Sequence, residues 1–230
     1  MSQNIKPISK LVIDSTQAIT ELCILGAQHR TDKSPLSSPL AKIVENPIDY
    51  AHGYTAIYDF LFSSLRHKNI KLGEIGVQYN YSINCFRKYF TEAEIHGFDH
   101  MEMFLDEAKK QNLPNTHYHW LDAFQKESIT KAMEEAGGEF DIIIEDSSHQ
   151  FDTQVNFIEL LHPYLKPGGM LIIEDIYPDV YGGVDSIDAK FSQAIEPFKQ
   201  YYSNIMFIEP KHQFQYSGLH QCDKLLILYK

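Results

Sequence analysis

Two apolar runs late in the chain, Ile142-Ile143-Ile144 and Met170-Leu171-Ile172-Ile173, are uninterrupted by polar residues, and each ends in a pair of acids, Glu145-Asp146 and Glu174-Asp175. Short β-branched runs without alternation predict strands buried on both faces, as in a parallel sheet. Between them, Phe151–Leu165 spaces Val155, Ile158, Leu161 and Leu165 three or four apart, the period of a helix, and Pro167-Gly168-Gly169 stops it. Such strand–helix–strand units bind ligands outside the carboxyl ends of their strands. Asp146, His149, Glu174 and Asp175 stand there.

The alternation of strands and helices extends in both directions. Residues 10–29 read as a helix with Leu11, Ile19, Leu22 and Ile24 toward the core. Ser34-Pro35, Ser38-Pro39 and Asn46-Pro47 make 30–49 an ordered loop or lid. Tyr54, Ile57, Tyr58, Leu61, Phe62 and Leu65 recur at helical spacing as far as His67. There follow a strand at Lys71–Val77, a helix at Gln78–Phe90, a strand at Ile95–Asp99, a helix at Met101–Gln111, a weaker strand at Tyr118–Leu121 and a helix at Ser128–Ala136. Beyond the central unit come a helix at Ser186–Tyr202 and strands at Ile205–Glu209 and Lys224–Tyr229. Joined without a helix, these two must pair antiparallel or lie in separate sheets. The expected fold is α/β: a Rossmann-like, seven-stranded, mostly parallel sheet with an antiparallel last strand and helices on both faces. An N-terminal helical and loop extension, 1–68, would cover the active site of the domain at 69–230.

Composition alters this picture little. Across 230 residues, 43% hydrophobic and 22% charged residues suit a folded domain, and a formal charge of -11 disfavours nucleic acid, which is bound by neutralising phosphates. No stretch reaches the ~18 apolar residues of a membrane span, and Met1–Lys10 lacks the apolar core of a secretory leader. Cys23, Cys85 and Cys222 are odd in number and widely spaced, which suits a reducing cytoplasm and supplies no zinc motif.

Glu74-Ile75-Gly76 ends a strand and opens a helix, where glycine lets backbone approach a ligand. The three-glycine dinucleotide fingerprint is absent: Gln78-Tyr79-Asn80 fill its remaining positions, which argues against a pyrophosphate and NAD. Asp99, ending the next strand, suits paired ribose hydroxyls, and Asp122 after the third could reach an adenine amino group. Either acid alone could equally cap a helix; together they favour adenosine without a diphosphate. Asp146, Glu174 and Asp175 are hard oxygen donors that would repel unless a cation sat among them, and they favour Mg²⁺, Mn²⁺ or Ca²⁺ over zinc. The alternative is that Glu174 and Asp175 splay into solvent. His149 stands where a general base belongs, or is a helix N-terminal histidine bonded to backbone.

Together, Thr31-Asp32-Lys33, His52-Gly53-Tyr54-Thr55, Leu72-Gly73-Glu74-Ile75-Gly76-Val77, Gly97-Phe98-Asp99, the run from Asp141 to His149, Lys166-Pro167-Gly168-Gly169 and Ile173-Glu174-Asp175-Ile176 resemble class I S-adenosylmethionine-dependent methyltransferases. More narrowly, they look like the metal-dependent O-methyltransferases of macrolide sugars, the mycinamicin and macrocin type, over roughly residues 25–185. The Glu-x-Gly strand is a weak signal; Asp-x-x-His paired with Ile-Glu-Asp is a strong one. The resemblance implies S-adenosylmethionine lined by Glu74, Gly76, Tyr79, Asn80, Ser82, Asp99 and His100, with Asp122, Ala123 and Phe124 toward the adenine. Asp146 would adjoin the cofactor, and Lys33 and Tyr54 would come from the N-terminal cover. It also implies Mg²⁺ on Asp146, Glu174 and Asp175, with His149 as general base beside Asp146. Tyr177 and Tyr181, with Gly182-Gly183, would form an acceptor loop. The expected reaction moves a methyl group to a hydroxyl of a sugar or glycosylated small molecule; a catechol-like acceptor and a non-catalytic binding protein are the alternatives. Three features depart from the family: no further glycines follow Gly76, Ser147 replaces a usual glycine, and the large extra domain of some members is unmatched. A homo-oligomer is left open, and neither nucleic acid nor membrane is expected as a partner.

Overall fold

A computed structural model describes residues 7–177, 184–214 and 223–230. In it, the apolar runs form the middle of one eight-stranded sheet. The strands are β1 (Ser9–Asp14), β2 (Lys71–Ile75), β3 (Glu94–Asp99), β4 (Thr116–Trp120), β5 (Phe140–Glu145), β6 (Leu165–Ile173), β7 (Asn204–Lys211) and β8 (Leu225–Tyr229), in the order β1-β7-β8-β6-β5-β2-β3-β4. β2 to β6 are mutually parallel, and β8 runs antiparallel between β6 and β7. The chain builds outward from β2 through β3 to β4, then returns to β5 on the other side. The order therefore reverses between β2 and β5, the place where open α/β sheets form a crevice.

Helices cover both faces, and this explains the unbroken apolar runs. Ile142 and Ile144 pack on one side with Tyr54, Tyr58 and Phe62 of α2 (Tyr54–Phe62) and Phe86 of α3 (Tyr81–Tyr89). Ile143, between them, packs on the opposite side with Met133 of α5 (Lys126–Glu135) and Phe157 of α6 (Phe151–Leu161). Each such side chain contributes roughly 1.5–3 kcal/mol on burial, so these strands have no polar face to show. The remaining helices are α1 (Glu21–Gln28), α4 (Glu102–Lys110) and α7 (Val184–Ala194). No helix among the described residues is long and apolar enough to cross a membrane.

The expected helix over 10–29 is the main local correction. Ser9–Asp14 is a strand at the sheet edge, paired in parallel with β7, and it is the eighth strand. Only α1 is helical, capped by Thr20, whose hydroxyl accepts from the Cys23 amide. Of the expected core contacts Leu22 is buried, whereas Leu11, Ile19 and Ile24 are exposed. This edge strand is exposed except at Ile13, which packs on the core, so it has no periodic apolar signal and Val12-Ile13 blend into the helical pattern beyond it. α3 starts three residues later than expected because Gln78 and Asn80 have φ of 46° and 66°, outside the helical region. α6 stops at Leu161, before a 3₁₀ turn at His162–Tyr164. Pro167-Gly168-Gly169 lies inside β6, at the register shift opposite Phe140 and Ile142, so it interrupts a ladder and does not end a helix. The last helix likewise divides into α7 and a 3₁₀ segment at Glu196–Tyr201.

Candidate active site

Gly76 sets the geometry at the switch point. Its φ is 104°, and a Cβ there would sit 2.0 Å from the Asp146 carbonyl oxygen. Only glycine lets the loops after β2 and β5 approach this closely. Asp99, at the end of β3, accepts from the backbone amides of Gln78 at 2.9 Å and Met101 at 2.8 Å. Two backbone donors fix the carboxylate in the wall of a cleft of about 390 Å³. His100, Leu121, Ala123 and Phe124 line the same side, and Asp146, His149, Glu174, Asp175 and Tyr177 line the other. A second cavity, of about 510 Å³, lies beyond Gly76 against Arg30, Lys33, Tyr79 and Ser82, and shares Asp146 with the first.

The N-terminal segment inserts a cation behind the acids. The Lys33 ammonium donates to Asp146 and to Glu174 Oε2, the latter at 2.7 Å, and lies 3.5 Å from Glu74 Oε1. Burial works against a charged lysine, but Asp146, Glu174 and Glu74 outweigh it and hold its pKa well above the ordinary value. Glu74 is wholly buried and accepts from Ser82 Oγ at 2.6 Å; burial lifts its pKa to about 7, against the pull of Lys33. Burial also raises Asp146 and, more strongly, Glu174.

Asp175 behaves differently from its neighbour. It accepts from Tyr54 Oη at 2.6 Å and lies 3.5 Å from His52 Nδ1, which is 2.9 Å from Asp223. Burial would raise Asp175, but His52, then His149 and the Tyr54 hydroxyl, reverse the shift and hold it below its ordinary value. Burial would lower His52, yet Asp175 and Asp223 carry it up to about 10, so it is an imidazolium at neutral pH. Glu174 and Asp175 are both buried, so the splayed alternative is excluded. Both line the cleft, but they are held by different groups: Glu174 by Lys33 and the Tyr58 hydroxyl, Asp175 by the Tyr54 hydroxyl and His52.

His149 precedes α6 with a φ of 55°. Its Nδ1 lies 3.9 Å from both Asp146 Oδ1 and Asp175 Oδ2, and its ring meets Tyr177 edge-on at 5.5 Å. That nitrogen is buried without a hydrogen-bond partner among the described residues, so the backbone-bonded alternative is not what the structure shows. One ligand atom from each of Asp146, His149 and Asp175 falls within 4.8 Å of the others, close enough to share a metal ion.

Four residues expected against the cofactor, Tyr54, Asn80, Asp122 and Glu74, line neither cavity. Tyr54 is fully buried, with its hydroxyl on Asp175. Asn80 is buried and donates to Gln111 and Tyr118, tying α3 to its neighbours away from both cavities. Asp122 accepts from the Phe124 amide at 3.0 Å and from the Gln125 side chain, capping the turn before α5 while residues on either side line the cleft. Glu74 stands behind Lys33, outside the cleft wall. Tyr181 and Gly182-Gly183, like Cys222, lie outside the described residues. Tyr58 and Asp223 join the site without having been singled out, and His52, quoted only as part of the resemblance, joins it without having been given a role. Tyr58 carried only a core signal, and Asp223 carried none.

A family model described as a methyltransferase domain matches residues 74–176. The chain is 26% identical over 215 residues to an 8-demethyl-8-(2-methoxy-alpha-L-rhamnosyl)-tetracenomycin-C 3'-O-methyltransferase of Streptomyces olivaceus, covering 89% of this chain and 50% of that protein. To the mycinamicin VI 2''-O-methyltransferase of Micromonospora griseorubida it is 27% identical over 177 residues, covering 74% of this chain and 42% of that one. The chain thus spans half or less of the length of these curated relatives. The MycE methyltransferase of the mycinamycin biosynthetic pathway, solved with Mg, SAH and mycinamycin VI, is similar at TM-score 0.62 and 18% identity, covering 92% of this chain and 54% of that chain. A methyltransferase from Pyrococcus furiosus gives 0.52 at 16% identity, over 76% of this chain and 82% of that chain. At these identities the structural likeness concerns the fold.

Proposed function

We propose that this chain, a class I methyltransferase in its fold and in the domain at residues 74–176, moves the methyl group of S-adenosylmethionine to a hydroxyl of a sugar or glycosylated small molecule. The observation that carries this reading is the meeting at one switch point of Asp99, held by two backbone amides, with the Asp146–His149–Asp175 group. A fixed carboxylate at the second strand end suits two adjacent ribose hydroxyls. Leu121, Ala123 and Phe124 beside it offer a flat apolar wall for a base. The relatives' named acceptors, glycosylated tetracenomycins and a mycinamicin, support a sugar hydroxyl over a catechol.

Mg²⁺ fits the residues present. Asp146 and Asp175 bring hard oxygens within 4.8 Å of each other, and the carboxylates outnumber the cations Lys33 and His52 that face them. Asp146 and Asp175 would hold the ion, with Glu174 completing the set on exchange of its Lys33 contact. Bound there, Mg²⁺ would supply positive charge that acidifies an acceptor hydroxyl. The chain's own part is orientation and proton transfer. His149 takes the hydroxyl proton as the oxygen forms its bond to the methyl carbon and the sulfur–carbon bond breaks. Tyr177 packs against the His149 ring and limits its rotation.

The test is calorimetric titration of S-adenosylmethionine with Mg²⁺ and then with chelator, followed by a methylation screen over glycosides. Micromolar binding with methylation of a sugar hydroxyl is expected. Absence of binding from folded protein in both buffers would leave a non-catalytic protein on this fold.

A further inference from the structure

A second group of metal-binding side chains lies on the sheet between β3 and β4. Across this parallel pair His96 faces His117, and Phe98 faces His119. Strand alternation puts Glu94, His96, His117 and His119 on one face. The His96 ring lies 5.1 Å from His119, stacked, and 5.0 Å from His117. Glu94 Oε1 is 2.8 Å from His96 Nε2 and 3.9 Å from His117 Nε2. One ligand atom from each of Glu94, His96 and His117 falls within 4.8 Å of the others. His96 is buried, while Glu94 and His117 are 39% and 51% exposed, so an ion could enter from water.

The hydrogen bonds admit two tautomers. In one, His96 donates from Nε2 to Glu94 and accepts at Nδ1 from His119, and the group satisfies itself. In the other, His96 donates from Nδ1 to His119 Nε2, 2.9 Å away. That turns the Nε2 lone pair toward the Glu94 carboxylate and His117. A cation taken up there would replace the proton that joins His96 Nε2 to Glu94 in the first tautomer. A ligating histidine that donates its other N–H to an outer acceptor is the common arrangement around protein-bound metals.

We infer that Glu94, His96 and His117 form a site for a borderline divalent transition-metal ion such as Zn²⁺, with His119 as the outer acceptor. Two imidazoles and one carboxylate match the ligand preferences of zinc and not those of Mg²⁺, and water reaching the exposed Glu94 and His117 would supply the remaining ligand. β4 is an edge strand whose sheet partner is β3, and it leads directly into Leu121, Ala123 and Phe124 of the cleft wall. An ion bridging the two strands fastens that edge and stiffens the wall.

The probe is Zn²⁺, titrated calorimetrically into metal-stripped protein in excess Mg²⁺, which occupies the oxygen donors of the cleft. Uptake of about one ion per chain is expected. His117→Ala and Glu94→Gln, both at solvent-exposed positions, should each weaken it at least tenfold while circular dichroism stays unchanged. His149→Ala should leave Zn²⁺ affinity within twofold. No uptake, or uptake indifferent to His117→Ala, would make the histidines a self-satisfied hydrogen-bonded group. Uptake abolished by His149→Ala would assign the ion to the cleft. Either result overturns the inference, and neither depends on methyl transfer.

Discussion

His149 has an unpartnered nitrogen facing two carboxylates, which suits two roles, base or metal ligand. As the base, its replacement by alanine should lower turnover at least ~10²-fold, the usual contribution of a positioned proton acceptor, with S-adenosylmethionine and Mg²⁺ affinities within twofold. A parallel loss of Mg²⁺ affinity would make it a ligand instead. Asp99→Ala should do the reverse and weaken cofactor binding at least tenfold by calorimetry; unchanged affinity would remove its ribose role. His52 supplies a pH signature. Its folded pKa, about 10, lies above the unfolded value near 6.5. Its contribution to stability is therefore fully present below about pH 6.5 and declines as pH rises toward about 10. Denaturant melts in chelator across this window should show a loss that His52→Gln reduces. A melt equally steep in the variant would place the titration elsewhere.

Among the elements, β5 and β6 were legible because burial on both faces demands unbroken apolar sequence, and their terminal acids followed from strand direction. β1 was not legible, since an exposed edge strand needs no pattern. That the Asn80 and Asp122 side chains bond away from the cavities was not legible for a related reason. Acids and amides cap turns beside every strand end, and which of them face a ligand is decided by backbone angles that spacing does not encode. α2 shows the complementary limit. Its apolar stripe was plain, yet periodicity reports where the body of Tyr58 is buried and not where its hydroxyl points. That hydroxyl donates to Glu174, a fully buried carboxylate. Tyr58→Phe keeps the ring and removes the donor, so it should cost about 1–3 kcal/mol of unfolding free energy. A loss below about 0.5 kcal/mol would mean that Lys33 alone satisfies Glu174.

The whole molecule converges on the cleft from widely separated segments: Lys33 and His52 between β1 and β2, Asp99 at the end of β3, Asp146 just past β5, and Asp223 before the last strand. The described site holds more carboxylates than cations, in a chain of net charge -11. A sulfonium cofactor and a divalent cation would relieve that imbalance, and both would bind only the folded arrangement. Linkage then makes each ligand a stabiliser of the entire fold. At a hundredfold excess over its dissociation constant, a ligand contributes about 2.7 kcal/mol. For a chain of this size about 2–4 °C accompanies each kcal/mol, so S-adenosylmethionine should raise the melting temperature by roughly 5–11 °C. Mg²⁺ should add a further rise that chelator removes. The Asp99→Ala variant should lose the first shift and keep the second, because its carboxylate lies across the cleft from the Asp146–His149–Asp175 group. If both shifts vanish together, the cofactor and metal halves of the cleft form a single cooperative unit, and the division of roles between the strand ends fails.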